Sequence, residues 1–353
     1  MTTSKMLEET RQQPETLSRT LEHGLRAVRA LEKRFAKARP RLIVIAARGT
    51  SDNAAQFGRY LIEMTTGIPV SLAAPSIVTL YHRAVDLREA LVVGISQSGE
   101  STDINAVLED ARQRGAIAIG ITNQARSTMA RIADHVLLVR AGKERSVAAT
   151  KTYTGQLLAL YLLAATLGGH VHGDDLRRIP DWVAGVLRRE AEIAEAVERY
   201  RFMGGTVTVG RGLNYATALE FGLKLMETCY VLAERFSAAD LMHGPIAMVE
   251  HAFPVFVFAP PGVTWPSISD VLDRLDRLKA DTLVITDHSN GHARGRVRAI
   301  ELPAQPGRRH PIPDLYTPIP YIVPAQLFAA HLAVVKGFDP DRPRSLTKVT
   351  RTM

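Results

Sequence analysis

GISQSGES (residues 94–101) follows directly on the apolar run LVV (residues 91–93) and is followed at once by Thr102. A hydrophobic strand that runs into a helix leaves the first amides of that helix without partners. Those amides and the helix dipole make an anion site. Ser96, Gln97, Ser98, Ser101 and Thr102 add donors without bulk, and Gly99 permits a tight turn. Ordinary N-capping by Ser or Thr is the competing explanation, but one cap needs one hydroxyl. A second strand end carries Gly49-Thr50-Ser51 before its own helix, so the two ends bring six hydroxyls. In a parallel sheet both lie at the carboxyl edge, where ligands bind. The pattern predicts a site for phosphate or a sugar phosphate. Neither loop is a Walker A or GxGxxG motif, which disfavours a nucleotide.

Outward from this loop the chain alternates strand and helix. RLIVIAA (41–47), GIPVSLA (67–73), ALVVGIS (90–96), AIAIGIT (116–122) and HVLLV (135–139) read as strands. Helices are expected over about 53–64 and 102–114, and GQLLALYLLAATL closes the unit as an apolar helix. After a polar helical connector the alternation restarts, with strands GTVTVG, FPVFVFAP, TLVIT and VRAIELP and helices near 216–229 and 268–279. PIPYIVPAQLFAAHLAVVKG ends in a further apolar helix. This predicts an α/β fold of two tandem domains, each a doubly wound, flavodoxin-like parallel sheet flanked by helices. The expected limits are an N-terminal helical segment 1–36 with Pro14 breaking or starting a helix, domains 37–170 and 201–338, a connector 171–200 and a tail 339–353.

The halves look duplicated. FGRYLIE (57–63) corresponds to FGLKLME (221–227), and each follows a strand and an Arg-Gly pair, Arg48-Gly49 and Arg211-Gly212. The second half has lost the serines: VFVFAPPG ends in prolines, and RGLNYA replaces RGTSDN. It carries instead Glu220, Lys224 and Glu227 at spacings that share one helical face. A solvated ion pair would have this spacing. The surrounding LKLMETCYVLAE is apolar, however, which predicts that Glu227 is buried and fit for proton transfer. His243 in DLMHGP and Lys348 in SLTKVT are candidate acid–base and imine-forming groups.

The bulk numbers agree with an enzyme of two domains: 353 residues, 46% hydrophobic and 23% charged. The net charge of +8 suits an anionic small substrate. Only RGRVR (294–298) and GRRH (307–310) form basic runs, so nucleic-acid binding is not expected. Cys229, the single cysteine, sits in an apolar periodic segment and reads as a buried bystander, and no disulfide or zinc cluster can form. The N-terminus lacks an apolar signal region. LLALYLLAATL (157–167), read as the longest apolar stretch, is shorter than the about 20 residues a membrane span needs. A cytoplasmic protein without membrane association is expected.

The motifs ARGTSDNAAQFGRYLIE, ISQSGESTD, SVAATKTYTGQL, ALEFGLKLMETCYVLAE, DLMHGPIAMV and the C-terminal PIPYIVPAQLFAAHLAVVKGFDPDRPRSLTKVT together resemble the tandem sugar-isomerase (SIS) domain family. The nearest likeness is to the isomerase half of glutamine–fructose-6-phosphate aminotransferases. The resemblance implies that Thr50, Ser51, Ser96, Gln97, Ser98 and Ser101 bind the sugar phosphate and that the backbone of Val147 lines the sugar. It implies that Glu227 moves a proton between C1 and C2, with Glu220 and Lys224 in support. It also implies that His243 opens the ring from the neighbouring subunit of a homodimer, that Lys348 forms a Schiff base, and that no metal or cofactor takes part. Two departures stand out. Ala149 replaces a sugar-contacting serine in Ala149-Thr150-Lys151, and the sequence, beginning MTTSK, shows no glutaminase cysteine. Deamination of glucosamine-6-phosphate is therefore the expected activity. A ketosamine-6-phosphate deglycase, another aldose–ketose isomerase and a non-catalytic phosphosugar sensor are the alternatives.

Overall fold

The computed structural model describes residues 4–290, 298–303, 312–346 and 348. The basic run GRRH, and all of RGRVR except Arg298, lie outside the described residues, as does the tail beyond Lys348.

The first sheet is built from β1 (Leu42–Ala46), β2 (Val70–Leu72), β3 (Ala90–Ile95), β4 (Ile117–Thr122) and β5 (His135–Leu138), in the order β2-β1-β3-β4-β5. All its pairs are parallel; β1 meets β3 with Leu42 opposite Ala90 and Ala46 opposite Gly94. The second sheet contains β6 (Gly205–Gly210), β7 (Leu232–Ser237), β8 (Pro254–Ala259), β9 (Asp281–Asp287) and β10 (Arg298–Leu302), in the order β10-β9-β8-β6-β7. Counted from its own first strand this is the same topology, again wholly parallel. The inner strands are almost entirely buried, as apolar runs covered on both faces must be.

Backbone geometry supports the duplication. Gly49, before the helix Thr50–Thr66, has φ 57° and ψ −130°. Gly212, before the helix Leu213–Cys229, has φ 58° and ψ −130°. Both turns need a conformation that only glycine adopts easily, and they need it at matching points of the two sheets.

Contact density divides the chain into two units. One comprises Gln12–Glu144, Ala149–Arg177 and Ser345–Met353, and holds the first sheet. The other comprises Met1–Arg11, Arg145–Ala148 and Arg178–Arg344, and holds the second. In the second unit the helix Lys5–Arg11 is fixed by its own N-terminus, where the amides of Lys5 and Met6 donate to the Asp341 carboxylate at 2.7 and 2.9 Å. Arg11 pairs with Glu190 at 2.7 Å, and the His331 ring lies 3.0 Å from the same carboxylate. Burial works to raise the Glu190 pKa, but these two partners outweigh it and hold it at about 2.

Two elements differ from the sequence reading. Strand β7 was not among the strands expected from the sequence. The preceding helix ends at Cys229, as expected, and Tyr230 after it adopts the left-handed conformation (φ 55°, ψ 34°) that glycine usually supplies. β7 follows almost at once and pairs with β6 from Gly205–Leu232 to Gly210–Ser237. As an edge strand it carries Glu234 and Arg235, which mask its strand pattern. The longest apolar segment is also not residues 157–167. It is the helix Pro318–Val335, of mean hydropathy 1.5, long and apolar enough by composition to cross a membrane. It is 83% buried inside the protein and is a core helix. Phe328 on it meets Phe221 at 5.8 Å and Phe256 at 5.1 Å, edge to face, and Phe221 meets Phe256 at 5.1 Å. These ring contacts fix the helix Leu213–Cys229 between β8 and the core helix.

Candidate active site

In the first sheet the order reverses between β1 and β3, and the loops leaving these strands define the crevice at the switch point. Arg48, just past β1, reaches across to Asp103 in the first turn of the helix after β3, Nε to Oδ2 at 2.7 Å. That ion pair ties the two loops together.

The Ser96–Ser101 loop is a preformed turn. The Gly99 amide donates to Ser96 Oγ at 3.1 Å, Ser96 Oγ and Ser101 Oγ lie 3.0 Å apart, and the Glu100 amide donates to Ser98 Oγ at 3.2 Å. Asn105 Nδ2 donates to the Gly99 carbonyl at 3.1 Å and holds the turn from behind. Ser101 occupies the N-cap position of the helix Thr102–Gln113, yet its side chain makes no capping bond. Simple capping therefore does not account for these serines. Among the described residues no acceptor meets the amides of Thr102 and Asp103. Gln97 and Ser98 are half-buried. The result is a cluster of hydroxyls and amides that offers the donors an anion needs.

Gly99 has φ +66°, and a Cβ there would lie 2.2 Å from Ser127 Oγ. Gly99→Ala is expected to cost about 2–3 kcal/mol, from backbone strain plus the displacement of Ser127. Urea denaturation of the two proteins checks this, and a change below about 0.5 kcal/mol would show that the turn relaxes freely.

On the other side of the crevice Thr50 is half-buried at the start of its helix. Ser51 is buried, and its Oγ accepts from Gln156 Nε2 at 3.0 Å. Lys348 belongs to this same unit. Its Nζ donates to Glu144 Oε2 at 3.1 Å. Glu144 is fully buried and also accepts from the Thr150 amide at 3.0 Å, the Thr152 amide at 3.1 Å and the Thr152 hydroxyl at 2.5 Å. Burial alone would raise the Glu144 pKa; the Lys348 charge and these donors more than offset it, and the net shift is downward. Sequence reasoning missed Glu144 because it stands in Lys-Glu-Arg, which reads as solvated surface.

Val147 is half-buried in the short segment Arg145–Ala148 of the other unit. Glu9 holds this segment: its carboxylate accepts from the Arg145 amide and, at 3.1 Å, from the Ser146 amide. Glu9 was also missed; it acts across 137 residues of sequence, which no local pattern reveals.

In the second sheet the equivalent crevice is occupied by the protein itself. Asn214, where the first half has a residue of its Thr-Ser-Asp turn, is buried and donates to Thr317 Oγ1 at 2.7 Å. The end of β8 is covered similarly, Thr286 Oγ1 and Asn290 Nδ2 both donating to the Ala259 carbonyl. This accounts physically for the loss of serines.

The acidic–basic set lies on the helix Leu213–Cys229. Side-chain exposure is 0% for Glu220, 1% for Lys224 and 24% for Glu227. A solvated surface pair is therefore excluded. The expectation that Glu227 is buried also fails: Glu227 lies toward the end of the helix, half-exposed, while its two partners are inside. Lys224 Nζ donates to Glu227 and sits 3.4 Å from Glu220 Oε1. Burial would lower the Lys224 pKa, but the two carboxylates overcome it and raise it, so the lysine stays charged. The trio carries net charge −1 when both acids are ionised.

His243 is exposed at the C-terminal end of the helix Ala238–Met242, its amide donating to the Ala239 and Asp240 carbonyls at 3.2 Å. Among the described residues no hydrogen bond or ion pair joins its ring to Glu227. Cys229 is buried, donates to the Ala329 carbonyl at 3.2 Å, and burial pushes its thiol pKa up to about 12.

Comparison with known proteins follows the same division. The SIS domain model matches residues 35–166 and again 206–336. A glutamine–fructose-6-phosphate aminotransferase (isomerizing) of Pyrococcus horikoshii is 38% identical over 87% of this chain and 51% of its own length. One of Pseudomonas aeruginosa is 35% identical over 97% of this chain and 58% of its own. The chain thus spans little more than half the length of these curated relatives. The C-terminal domain of glucosamine–fructose-6-phosphate aminotransferase from Francisella tularensis superimposes with a TM-score of 0.86 at 29% identity, covering 97% of this chain and 99% of that domain. With two matched copies on two sheets of identical strand order, this chain belongs to the SIS domain family, as a tandem pair like that of the isomerase half of glutamine–fructose-6-phosphate aminotransferases.

Proposed function

We propose that the protein is a sugar-phosphate isomerase acting on an amino sugar, and that its reaction is the deamination of glucosamine-6-phosphate to fructose-6-phosphate and ammonia. The observation that carries the reading is the buried Glu220–Lys224 pair that leaves Glu227 half-exposed beside a permanent ammonium. Such a carboxylate is oriented and reachable, as a base working on a carbon-bound proton must be. The relatives' named activity, aminotransfer to fructose-6-phosphate, supports the substrate class.

In this reading the serine loop holds the phosphate, with Thr50, Ser51, Ser96, Gln97, Ser98 and Ser101 and the free amides of the helix Thr102–Gln113. Binding energy from this non-reacting end orients C1 and C2. His243 donates to the ring oxygen as the pyranose opens. Glu227 removes the proton from C2 and returns it to C1, while O1 gains a proton and the amino nitrogen gives one up, which converts the 2-amino aldose into the imine of the 2-ketose. Lys224 offsets the charge that develops on O1 as this happens. Water then adds to the imine carbon, and ammonia leaves. Lys348 provides an amine that can exchange onto C2. The buried, high-pKa Cys229 offers no thiolate that could take ammonia from glutamine. The exposure of His243 suits donation to a second subunit's site, and we propose a cytoplasmic homodimer.

The test is to incubate the protein with glucosamine-6-phosphate and measure both products. Equimolar ammonia and fructose-6-phosphate are expected. Interconversion of aldose and ketose phosphates without ammonia would make it a simple isomerase. Turnover confined to fructosamine-type phosphates would make it a deglycase. Tight phosphosugar binding without turnover would make it a sensor.

A further inference from the structure

Glu144 is a fully buried carboxylate that neither the serine loop nor the Glu227 helix uses. Its surroundings are unusual for an acid in a loop. The amides of Thr150 and Thr152 and the hydroxyl of Thr152 fix its oxygens at the start of the helix Lys151–Thr166. A helix N-terminus favours this negative charge. Nearby, Lys151 Nζ donates to the Lys143 carbonyl at 2.9 Å and to Gln12 Oε1 at 2.7 Å, which ties down the loop that carries Glu144. Against this rigid set lies the terminal-tail residue Lys348, a partly exposed side chain (25%) whose ammonium meets Glu144 Oε2.

We infer that Glu144 is the positioning residue for Lys348: it draws the tail back onto the first-sheet unit and seats the ammonium where the amine is to react. This rests on the reading of Lys348 as the imine-forming lysine. A positioning carboxylate suits that chemistry. Attack requires the neutral amine, and the ammonium first gives one proton to solvent. The neutral amine still has an N–H to donate to Glu144, so it stays placed as it becomes nucleophilic. The Nζ then bonds to the C2 carbonyl carbon of a ketose phosphate; the carbonyl oxygen leaves as water with the two amine hydrogens, and a C=N bond remains.

The experiment compares the wild type with Glu144→Gln, which keeps the size of the side chain and removes its charge. Lys348 is labelled by trace acetic anhydride at pH 8 and scored against exposed Lys33 as internal reference. Separately, the protein is reduced with borohydride in the presence of fructose-6-phosphate, and the adduct at Lys348 is measured by peptide mass. Labelling of Lys348 in Glu144→Gln is expected to rise about fivefold, the loss of one partly exposed charge-assisted hydrogen bond. Adduct formation is expected to fall about tenfold, because a freed amine is no longer placed. Equal labelling in the two proteins would overturn the inference. If the wild type forms no adduct while the labelling difference persists, the imine reading fails and the positioning contact stands. Should Glu144→Gln not fold by circular dichroism, Thr152→Val serves instead: it removes one bond to Glu144 and is expected to move both readouts the same way by about twofold.

Discussion

Glu227→Gln is expected to lower kcat for glucosamine-6-phosphate by about 10³-fold while KM changes less than about threefold. General-base transfer contributes roughly 10² to 10⁴ in rate, and an amide at this position cannot accept the C2 proton. The binding side of the reaction is left alone, since the proposed phosphate donors lie on other elements. The fold is left alone too. Glu227 is 24% exposed, and a glutamine oxygen still accepts from Lys224. Lys224 also keeps Glu220, 3.4 Å away, as a partner. A loss carried by kcat is the signature of an interaction made in the transition state, whereas a rise in KM alone would assign Glu227 to ground-state binding. The measurement is steady-state release of ammonia, with the phosphosugar affinity taken from titration calorimetry. A variant that retained more than a tenth of the wild-type kcat would remove Glu227 from the chemistry and leave the SIS fold as a binding scaffold.

The contrast between Glu227 and its neighbours shows where sequence stops being informative. The strands of both sheets are readable because a strand covered on two faces is a continuous apolar run, and nine of the ten are recognisable by that signal. β7 is not, because an edge strand tolerates Glu234 and Arg235 and because Tyr230 ends its helix where a glycine would have marked the stop. The crowding of hydroxyls at the end of β3 is readable directly from the sequence. That Ser101 turns away from capping to meet Ser96 is a matter of rotamer, beyond any pattern. On the helix Leu213–Cys229 the i, i+3 and i+4 spacing identifies the charged trio correctly. The same spacing cannot say which of three residues on one face is inside; that depends on β8 and the helix Pro318–Val335, whose Phe256 and Phe328 meet Phe221 from 35 and 107 residues away. Glu9 and Glu144 are the extreme cases. Each looks like a surface acid in a charged run, and each gains its meaning only from backbone amides or a lysine distant in sequence.

Lys224→Met is expected to destabilise the second-sheet unit by about 3–5 kcal/mol at neutral pH, the range for removing one partner of a buried ion pair. Methionine matches the length and packs in an apolar environment, so the cost does not come from a cavity. It comes from Glu220, which has no exposure and would keep its charge without the ammonium that compensates it. The pH dependence identifies this cause. Without the ammonium of Lys224, burial favours the neutral form of the Glu220 carboxyl. A carboxyl with a raised pKa binds its proton more tightly when folded. The deficit is then small below the unfolded pKa and grows as pH rises, levelling once pH exceeds the raised folded value. Urea unfolding of wild type and variant between pH 4 and 8 should therefore converge at the acid end and diverge toward neutrality. The double replacement Glu220→Gln with Lys224→Met removes the buried charge altogether and is expected to recover at least about half of the loss. A deficit in Lys224→Met that is the same at every pH would mean that the lysine stem contributes by packing, with its charge irrelevant to the fold. The natural arrangement then has a clear physical purpose. The lysine is needed to keep Glu220 tolerable inside the core, and its remaining hydrogen bond is what aims the half-exposed carboxylate of Glu227.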